Sequence, residues 1–413
     1  MNKSILILGA SALQVPLIKY VKARGYKVIV VSIPGKYPGF DIADKCVYCD
    51  VRDTAKILCE VRNENIVSVL TDETDIAVPT VAALAKKLGV SGNSIETARI
   101  YSNKFLMRSI CREVGVCVPE FFHASTLTEL KKGLQTITFP AIMKPEDNQG
   151  SRGIYKIYNA NDAEKHFPDS VCFSKTGNVI VENLFVGKEF VVEGFVVDGE
   201  YINFGIAERK YFAIEDTFIP SMTIFPSLLS EKKKTVLLDA EKKLHKKLKP
   251  SFGMIHSEYL VNEDNGEYIL VETALRGGGV YISSHLVPLY SSCDNYDILL
   301  RCSLGEKIAL SDVSLNDKKA SAYMCFYLPQ GEVIEIKGIE SVLKMPNVSQ
   351  ADLSDVYAGM KTQPMLNKTM RLGPIIIHGQ NREELDSVVD VIKNTLHIYV
   401  RTEDGEVKDV IWE

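Results

Sequence analysis

The chain has 413 residues, of which 46% are hydrophobic and 24% are charged, and its formal net charge is -5. This length and balance predict a soluble protein of two or three globular domains with a substantial buried core. The net charge supplies no broad cationic field, which argues against nonspecific nucleic-acid binding as the main activity. No run of about 18 uncharged apolar residues occurs, so the sequence predicts no membrane span.

Residues 1–93 alternate short apolar runs with amphipathic stretches, beginning with ILILG and ALQVPLIKYVKARG. This alternation is typical of a doubly wound, Rossmann-like α/β domain built on a parallel sheet. The first turn, Gly9-Ala10-Ser11-Ala12, lacks the three-glycine spacing of a dinucleotide site, and Gly9 is interpreted as serving the tight turn. A nicotinamide-dependent dehydrogenase stays open as an alternative that depends on this turn alone.

The nine cysteines favour reduced thiols and a cytoplasmic location over a disulfide framework. Cys46 and Cys49 form a CxxC, but no second pair completes a zinc site, and the surrounding KCVYCDV is typical of a strand. The N-terminal ILILGA is too short for a secretory signal and is interpreted as a first strand.

Residues 94–314 are expected to form a second domain of α+β type. A short linker over 91–103 precedes a helix with Leu106, Ile110 and Val114 on one face. Strands FPAIMK, GIYKIY, VIVEN and EFVVEGFVV follow, and then a polar excursion to residue 235. The lysine-rich stretch 232–249 is interpreted as an ordinary surface helix, because Leu237, Ala240, Leu244 and Leu248 form one apolar stripe.

Residues 315–413 are expected to form a small C-terminal α+β domain. The pattern predicts strands SAYMCFYL, EVIEIKG and PIIIHG and a helix from Arg382 to Asn394, and it contains no chemical motif.

Two β-rich runs, GMIHSEYLV and EYILVETALR, flank the turn-forming NEDNG and predict a hairpin. Glu258 and Glu272 then lie opposite each other or one rung apart, at roughly 5 to 8 Å between Cβ atoms. A divalent cation would convert their repulsion into coordination, and Mg²⁺ prefers one or two carboxylates plus phosphate oxygens. Arg276 would project beside the metal to stabilise charge on a transferring group, and Gly277 to Gly279 would let a ligand approach the backbone.

Upstream, MKPEDNQGSRG ends a strand at Lys144 and continues into a turn with Gly150, Ser151 and Gly153, whose amides could fold over a nucleotide phosphate. Taken alone, this turn is more commonly explained as a glycine-serine hairpin loop beside a surface lysine. VENLFVGKE adds backbone groups that could meet an adenine edge, and Glu189 could accept hydrogen bonds from ribose hydroxyls.

The order of these pieces resembles the ATP-grasp superfamily. It runs from a lysine opening a helix (Lys104), through Lys144, the glycine loop, Glu182 and Glu189, to Glu258, Glu272 and Arg276. GMIHSEYLV followed by ETALRGGG is most similar to L-amino acid ligases, and the whole chain resembles the architecture of carbamoyl phosphate synthetase and biotin carboxylase. The resemblance implies a pre-ATP-grasp domain at 1–93, an ATP-grasp domain at 94–314 and a C-terminal domain at 315–413.

By the resemblance, Lys104, Lys144 and the loop residues Gly150, Ser151 and Gly153 would contact ATP phosphates, with Lys144 also taking part in catalysis. Glu182 would belong to the nucleotide site, the backbone of Asn183 and Leu184 would meet adenine, and Glu189 would hold the ribose. Glu258 and Glu272 would bind Mg²⁺ or Mn²⁺, and Arg276 would support an acyl phosphate.

The implied activity is that of an ATP-dependent carboxylate-amine ligase for small molecules, with an amino acid as a substrate and no nucleic-acid or membrane partner. A homodimer is compatible with the resemblance, and the oligomeric state stays open.

One departure from the pattern concerns the second metal. Where the family commonly has Glu-x-Asn, this chain has Glu272-Thr273-Ala274, so the usual amide ligand is missing. His256 could compensate by facing the same pocket, or it could be a packed or solvent-facing histidine. The departure keeps a second hypothesis open, a nucleotide-binding regulator without catalytic activity.

Overall fold

The computed structural model describes residues 3–147, 152–214, 217–309, 311, 313, 315, 319–366 and 368–413. Gly150 and Ser151, which the sequence assigns to the phosphate loop, lie outside the described residues. Across the described ranges, no helix is both long enough and apolar enough to cross a bilayer.

The N-terminal region is built on a four-stranded sheet in which all neighbouring strands are parallel. Its strands, in the spatial order β3-β2-β1-β4, are β1 (Lys3–Leu8), β2 (Lys27–Ser32), β3 (Lys45–Tyr48) and β4 (Asn65–Leu70). Its helices are α1 (Val15–Ala23), α2 (Pro38–Ile42), α3 (Thr54–Val61) and α4 (Val78–Leu88). The doubly wound prediction is confirmed. Gly9 ends the first strand with φ +107°, a conformation that favours glycine.

Two helices connect this region to the rest, where the sequence predicted a linker and one helix. The linker prediction was wrong for residues Ile95–Tyr101, which form α5 behind a side-chain cap from Ser94. In α6 (Lys104–Val114), Met107, Arg108 and Cys111 form the buried face, while Leu106, Ile110 and Val114 are only partly buried. The buried face of α6 therefore differs from the predicted one, because Arg108 buries its guanidinium against the Glu182 carboxylate.

A small antiparallel sheet follows, in the order β5-β8-β6-β7. Its strands are β5 (Phe121–Ala124), β6 (Ala141–Pro145), β7 (Tyr155–Ile157) and β8 (Val179–Asn183), and its helices are α7 (Leu127–Gly133) and α8 (Ala160–Cys172). The sheet has a hydrophobic core of its own, around Leu130, Met143 and Val181.

The central sheet has eight strands in the order β13-β12-β9-β10-β11-β14-β18-β16. They are β9 (Lys188–Val197), β10 (Glu200–Tyr211), β11 (Pro220–Phe225), β12 (Phe252–Val261), β13 (Tyr268–Ala274), β14 (Ala320–Phe326), β16 (Val348–Ala351) and β18 (Leu372–Gly379). The polar excursion expected before residue 235 was wrong, because two strands of the central sheet, β10 and β11, lie within it. A tight turn at Asp198 (φ 49°) and Gly199 (φ 82°) folds β10 back onto β9.

The lysine-rich stretch forms α9 (Glu231–Leu248), with Leu237, Ala240, Leu244 and Leu248 buried as predicted. The short helices α10 (Val287–Ser291) and α11 (Asn295–Ser303) follow the β12–β13 hairpin.

The C-terminal elements are divided between two sheets. Strands β14, β18 and β16 extend the central sheet, whereas β15 (Gly331–Lys337), β17 (Lys361–Thr362), β19 (His397–Arg401) and β20 (Val407–Lys408) form a separate antiparallel sheet in the order β17-β15-β19-β20. The helices are α12 (Ile339–Leu343) and α13 (Arg382–Thr395). Residues 363–366 and 368–371 lie between β17 of this separate sheet and β18 of the central sheet.

Candidate active site

The hairpin of β12 and β13 brings Glu258 and Glu272 together. They are direct partners in the strand register, as the sequence predicted, with side-chain exposures of 23% and 26%. Directly opposite residues on one face of an antiparallel pair are close neighbours. The structure therefore places two carboxylates at one position on the sheet, both partly open to solvent.

Glu258 is surrounded by cations. Its Oε1 accepts a hydrogen bond from Nη1 of Arg209 at 2.6 Å and lies 3.3 Å from Nε2 of His256. Burial by itself would raise the pKa of Glu258, but Arg209 and His256 outweigh it and hold that pKa well below its usual range. Glu258 is therefore ionised at neutral pH, the state a cation needs.

His256 is buried, and it does face the carboxylate pair, one of the two alternatives left open by the sequence. Its Nδ1 hydrogen-bonds to the buried Glu193, and its Nε2 points to Glu258. Burial would lower the pKa of His256, but the two glutamates outweigh burial and raise it. The two carboxylates therefore favour the charged form of the imidazole that lies between them.

Glu272 meets the N-terminus of α6, where Nζ of Lys104 lies 3.3 Å from its Oε1. Both side chains line an open cavity of about 340 Å³, together with Asp147 and Arg152, which flank the predicted phosphate loop. Gly153 ends that loop with φ +73°. The cavity brings Lys104, Glu272 and the ends of the loop to one place.

Lys144 is held by Glu182. Its ammonium forms a buried ion pair with Oε1 of Glu182, while Oε2 accepts hydrogen bonds from Nε and Nη2 of Arg108 at 3.2 and 3.1 Å. Burial opposes ionisation of Glu182, but Arg108 and Lys144 outweigh it and lower its pKa to about 2. Burial also lowers the pKa of Lys144. Glu182 thus orients two cations. Sequence reasoning missed Arg108, whose only signal was its position on an amphipathic helix.

The amides of Asn183 and Leu184 are already used. The Asn183 N–H donates to the Glu120 carbonyl at 3.0 Å, and the Leu184 N–H donates to the Pro140 carbonyl at 3.2 Å. In this arrangement the two amides do not also donate to an adenine ring, which corrects the expectation that both backbone groups of these residues are available. Of the predicted backbone contacts with adenine, only those of the Asn183 and Leu184 carbonyl groups remain.

Glu189 belongs to the same charged cluster as Glu258. It accepts a hydrogen bond from Nη1 of Arg209 at 2.5 Å and another from the Tyr211 hydroxyl. Burial and the neighbouring Glu258 raise its pKa, although Arg209 opposes them. Arg209, which joins Glu189 to Glu258, was missed because its strand was taken for a polar excursion. The alternation in INFGIAERKY was the available signal.

Arg276 is engaged by the N-terminal region. Its Nε and Nη2 bond Oδ1 and Oδ2 of Asp75 at 2.7 and 3.0 Å, and its Nη1 donates to the Gly277 carbonyl at 2.8 Å. Burial opposes the charge, but Asp75, and more weakly Glu272 and Glu258, raise the pKa of Arg276. The Arg276 guanidinium therefore lies near Glu258 and Glu272, but it already donates its hydrogen bonds to Asp75 and the Gly277 carbonyl.

The three glycines after Arg276 serve the protein's own packing at two positions. A Cβ at Gly277 would lie 2.2 Å from Cβ of Ser283, and one at Gly278 would lie 2.4 Å from Oε1 of Glu193. Gly279 has open space around it. The expectation that a ligand approaches all three is corrected for Gly277 and Gly278, whose neighbours are side chains.

A divalent cation would depend on Glu258 and Glu272. Within the described residues, no group of three or more His, Cys, Asp and Glu side chains could hold a metal ion. Glu272 lines the cavity and Glu258 is its direct partner in the strand register, and two such carboxylates suit Mg²⁺, which completes its octahedron with phosphate and water oxygens. Ala274, at 1% exposure, offers no ligand. The residues present therefore fit one Mg²⁺ that shares its coordination with a bound phosphate.

A known family model matches the middle of the chain. Residues 137–284, a span that includes Lys144 and Arg276, match the model of the ATP-grasp domain. The chain is 24% identical to alanine–anticapsin ligase of Bacillus subtilis strain 168 over 284 residues, which are 63% of this chain and 59% of the ligase. The chain thus spans less than two thirds of that relative's length.

Two solved structures share the fold over almost the whole chain. An L-amino acid ligase from Bacillus licheniformis superposes with a TM-score of 0.80 at 19% identity, covering 96% of this chain and 98% of the ligase. A phosphoribosylglycinamide synthetase from Anaerococcus prevotii gives 0.75 at 21% identity, covering 97% and 100%. Residues 137–284 thus match the ATP-grasp domain, and the fold of the chain is similar to that of these two enzymes.

Proposed function

We propose that this protein is an ATP- and Mg²⁺-dependent carboxylate-amine ligase that joins a small carboxylic acid to an amine. The observation that carries the proposal is the direct pairing of Glu258 with Glu272 inside the segment that matches the ATP-grasp domain. Lys104 contacts Glu272, and the cavity that both line is also lined by Asp147 and Arg152 at the two ends of the glycine loop. The two carboxylates, the lysine and the cavity together suit a nucleotide triphosphate with its bound metal ion.

The reaction needs no protein nucleophile. An oxygen of the substrate carboxylate attacks the γ-phosphorus of ATP, the bond to the bridging oxygen breaks, and ADP leaves. The amine nitrogen then attacks the acyl carbon of the acyl phosphate, phosphate leaves, and the amine loses a proton as the amide forms. The chain contributes orientation and charge neutralisation, which dominate phosphoryl transfer.

The site residues take the following roles in the proposal. Glu258 and Glu272 hold Mg²⁺, while Lys104, Lys144 and the loop with Gly150, Ser151 and Gly153 neutralise the phosphates. Glu182 keeps Lys144 and Arg108 in place, consistent with its two ion pairs. Glu189 either holds the ribose or positions Glu258 through their shared partner Arg209. Arg276, held by Asp75, stabilises the acyl phosphate.

An amino acid is the proposed substrate, and this finer assignment is supported by the names of the relatives, an alanine–anticapsin ligase and an L-amino acid ligase. The proposal also includes a cytoplasmic location, consistent with nine free cysteines, and homodimers as the assembly. The division of the chain at residues 93 and 314 is likewise proposed.

The test is a phosphate-release screen in which single amino acids and pairs are offered with ATP and Mg²⁺. The proposal expects ADP and phosphate in equal amounts with a particular acid and amine, and mass spectrometry should find the amide. If ATP and Mg²⁺ leave the melting temperature unchanged and no pair releases phosphate, the proposal fails.

A second candidate function is an ATP-binding regulator without catalytic activity, and Ala274 is the observation that favours it. For this candidate, ATP raises the melting temperature while the screen gives no ADP. Ala274→Asn would then restore the amide ligand, and the appearance of turnover in that variant would favour the regulator. Turnover in the unaltered protein decides for the ligase.

A further inference from the structure

Helix α6 contacts the end of β13 that carries Glu272, and it does so through two cations. Nζ of Lys104 lies 3.3 Å from Oε1 of Glu272. One turn later on the helix, Nη2 of Arg108 donates a hydrogen bond to the Val271 carbonyl at 2.7 Å. Residues four apart lie on one face of an α-helix, so both side chains reach neighbouring residues of the same strand.

Strand β13 is irregular at Val271. In its register with β12, Glu272 lies opposite Glu258. The next pair joins Leu270 to Tyr259, so Val271 has no partner residue on β12. This is a β-bulge, a feature that bends a strand and changes the direction of the side chains beside it, often next to an active site. Because the bulge immediately precedes Glu272, the direction of that carboxylate depends on how the bulge is held.

Arg108 holds the bulge from a fully buried position. A bulge takes backbone groups out of the ladder, and such groups need another partner. The guanidinium that bonds the Val271 carbonyl also donates from Nε and Nη2 to Oε2 of Glu182, at 3.2 and 3.1 Å. The other carboxylate oxygen of Glu182 pairs with Lys144. One rigid, planar group thus connects the bulge with the carboxylate that orients Lys144.

We propose that Arg108 is a positioning residue, which holds the bulge at Val271 and so directs the Glu272 carboxylate toward the metal ion. The proposal rests on the proposed function, which assigns the metal to Glu272 and the phosphates to Lys144. Arg108 acts through these residues, because its hydrogen bonds go to the Val271 carbonyl and to Glu182. Its loss should therefore weaken the contribution of the metal to nucleotide binding.

The first test measures that contribution without turnover. The β,γ-imido analogue of ATP is titrated into the full-length protein by calorimetry, once with Mg²⁺ and once with EDTA. The ratio of the two dissociation constants should be at least about tenfold in the unaltered protein, because Mg²⁺ joins the carboxylates to the phosphates. Arg108→Lys keeps a charge for Glu182 but lacks the forked donors that also reach Val271, so the ratio should fall at least about fivefold.

Arg112→Lys is the matched control for this variant. It makes the same substitution one turn further along α6, at an exposed arginine that pairs with Glu120, and should leave the ratio unchanged. A purely structural role of Arg108 would lower the melting temperature of Arg108→Lys and leave its ratio at the value of the unaltered protein. That result would overturn the proposal, as would the absence of any effect of Mg²⁺ on binding to the unaltered protein.

A second measurement does not depend on the folding of a variant. A crystal structure of the unaltered protein with the same analogue and Mg²⁺ should show Glu272 on the metal while Arg108 remains bonded to the Val271 carbonyl. Glu272 away from the metal, or Glu272 on the metal with Arg108 turned away from Val271, would overturn the proposal.

The positioning role and the ligase function fail separately. If the ratio falls in Arg108→Lys but the screen finds no acid and amine that release phosphate, the positioning role is retained and the ligase is lost. If the screen finds turnover and the ratio is the same in Arg108→Lys and the unaltered protein, the ligase is retained and the positioning role is lost.

Discussion

Arg276 and Asp75 form a two-point ion pair that joins the end of the β12–β13 hairpin to the N-terminal region. Both side chains are largely buried, at 11% and 17% exposure, and the two bonds are 2.7 and 3.0 Å long. Burial would raise the pKa of Asp75, but Arg276 outweighs it and lowers that pKa. Arg276 therefore links the β12–β13 hairpin to the N-terminal region. Its position near Glu258 and Glu272 depends on this ion pair with Asp75.

Removing the acid of this pair should destabilise the protein strongly. Asp75→Asn leaves the Arg276 guanidinium buried without its charge partner, which is expected to lower the free energy of unfolding by about 3–5 kcal/mol. Chemical denaturation measures the change. Asp297→Asn, which breaks a more exposed pair with Arg24, is the matched control and should cost less than about 1 kcal/mol. Equal losses in the two variants would contradict the structural role.

Neighbouring glycines should respond differently to the same substitution. Gly278→Ala places a methyl group 2.4 Å from Glu193 Oε1 and 2.8 Å from His256 Nδ1, whereas Gly279→Ala meets nothing within 4 Å. The first is expected to lower the free energy of unfolding by about 1–3 kcal/mol and to lower turnover, because overpacking displaces His256. The second should be neutral in thermal unfolding. Similar melting temperatures for both variants would show that the Glu193–His256 contact is not tightly packed.

Loss of one carboxylate of the pair should stop turnover without unfolding the protein. Glu272→Gln keeps the size of the side chain but weakens cation binding, so the rate of ADP formation should fall at least about 100-fold. Glu267→Gln, on an exposed position of the same hairpin, is the control and should retain activity. Activity of Glu272→Gln close to that of the control would remove Glu272 from the metal site.

Glu73 should make the protein less stable as the pH rises. Burial and the adjacent Asp72 raise the pKa of Glu73 well above its usual value. The folded state then holds a proton that the unfolded state releases above about pH 4.5, so the free energy of unfolding falls from there toward the folded-state pKa. Glu73→Gln removes the ionisation and can keep the contacts with the Tyr281 N–H and the Ser284 hydroxyl.

Melting temperatures measured from pH 4 to pH 8 test this linkage. Relative to the unaltered protein, Glu73→Gln should gain stability steadily as the pH rises, while Glu340→Gln at an exposed position should show no such trend. A difference between Glu73→Gln and the unaltered protein that stays constant with pH would mean that Glu73 is ionised in the folded state.

The parts of the site that lie close in sequence were predictable. Alternation along β12 and β13 and the Asn/Asp/Gly turn between them fixed the strand register, and the register alone put Glu258 opposite Glu272. The apolar stripe of α9 was predictable for the same reason, since local periodicity reports which face is buried. Failures occurred where polar residues are frequent in a buried strand, as in β10, or where a short helix has a mixed pattern, as in α5.

The sequence by itself determined the order of strands and helices, the hairpin with its two carboxylates, and the lysines that start α6 and end β6, because these depend on residues within one or two turns of each other. Only the tertiary structure decided what each charge faces. Asp75 reaches Arg276 across 201 positions and Arg108 reaches Glu182 across 74. Such pairs form because burial of a charge demands a partner, and which partner lies nearby depends on how the sheets pack.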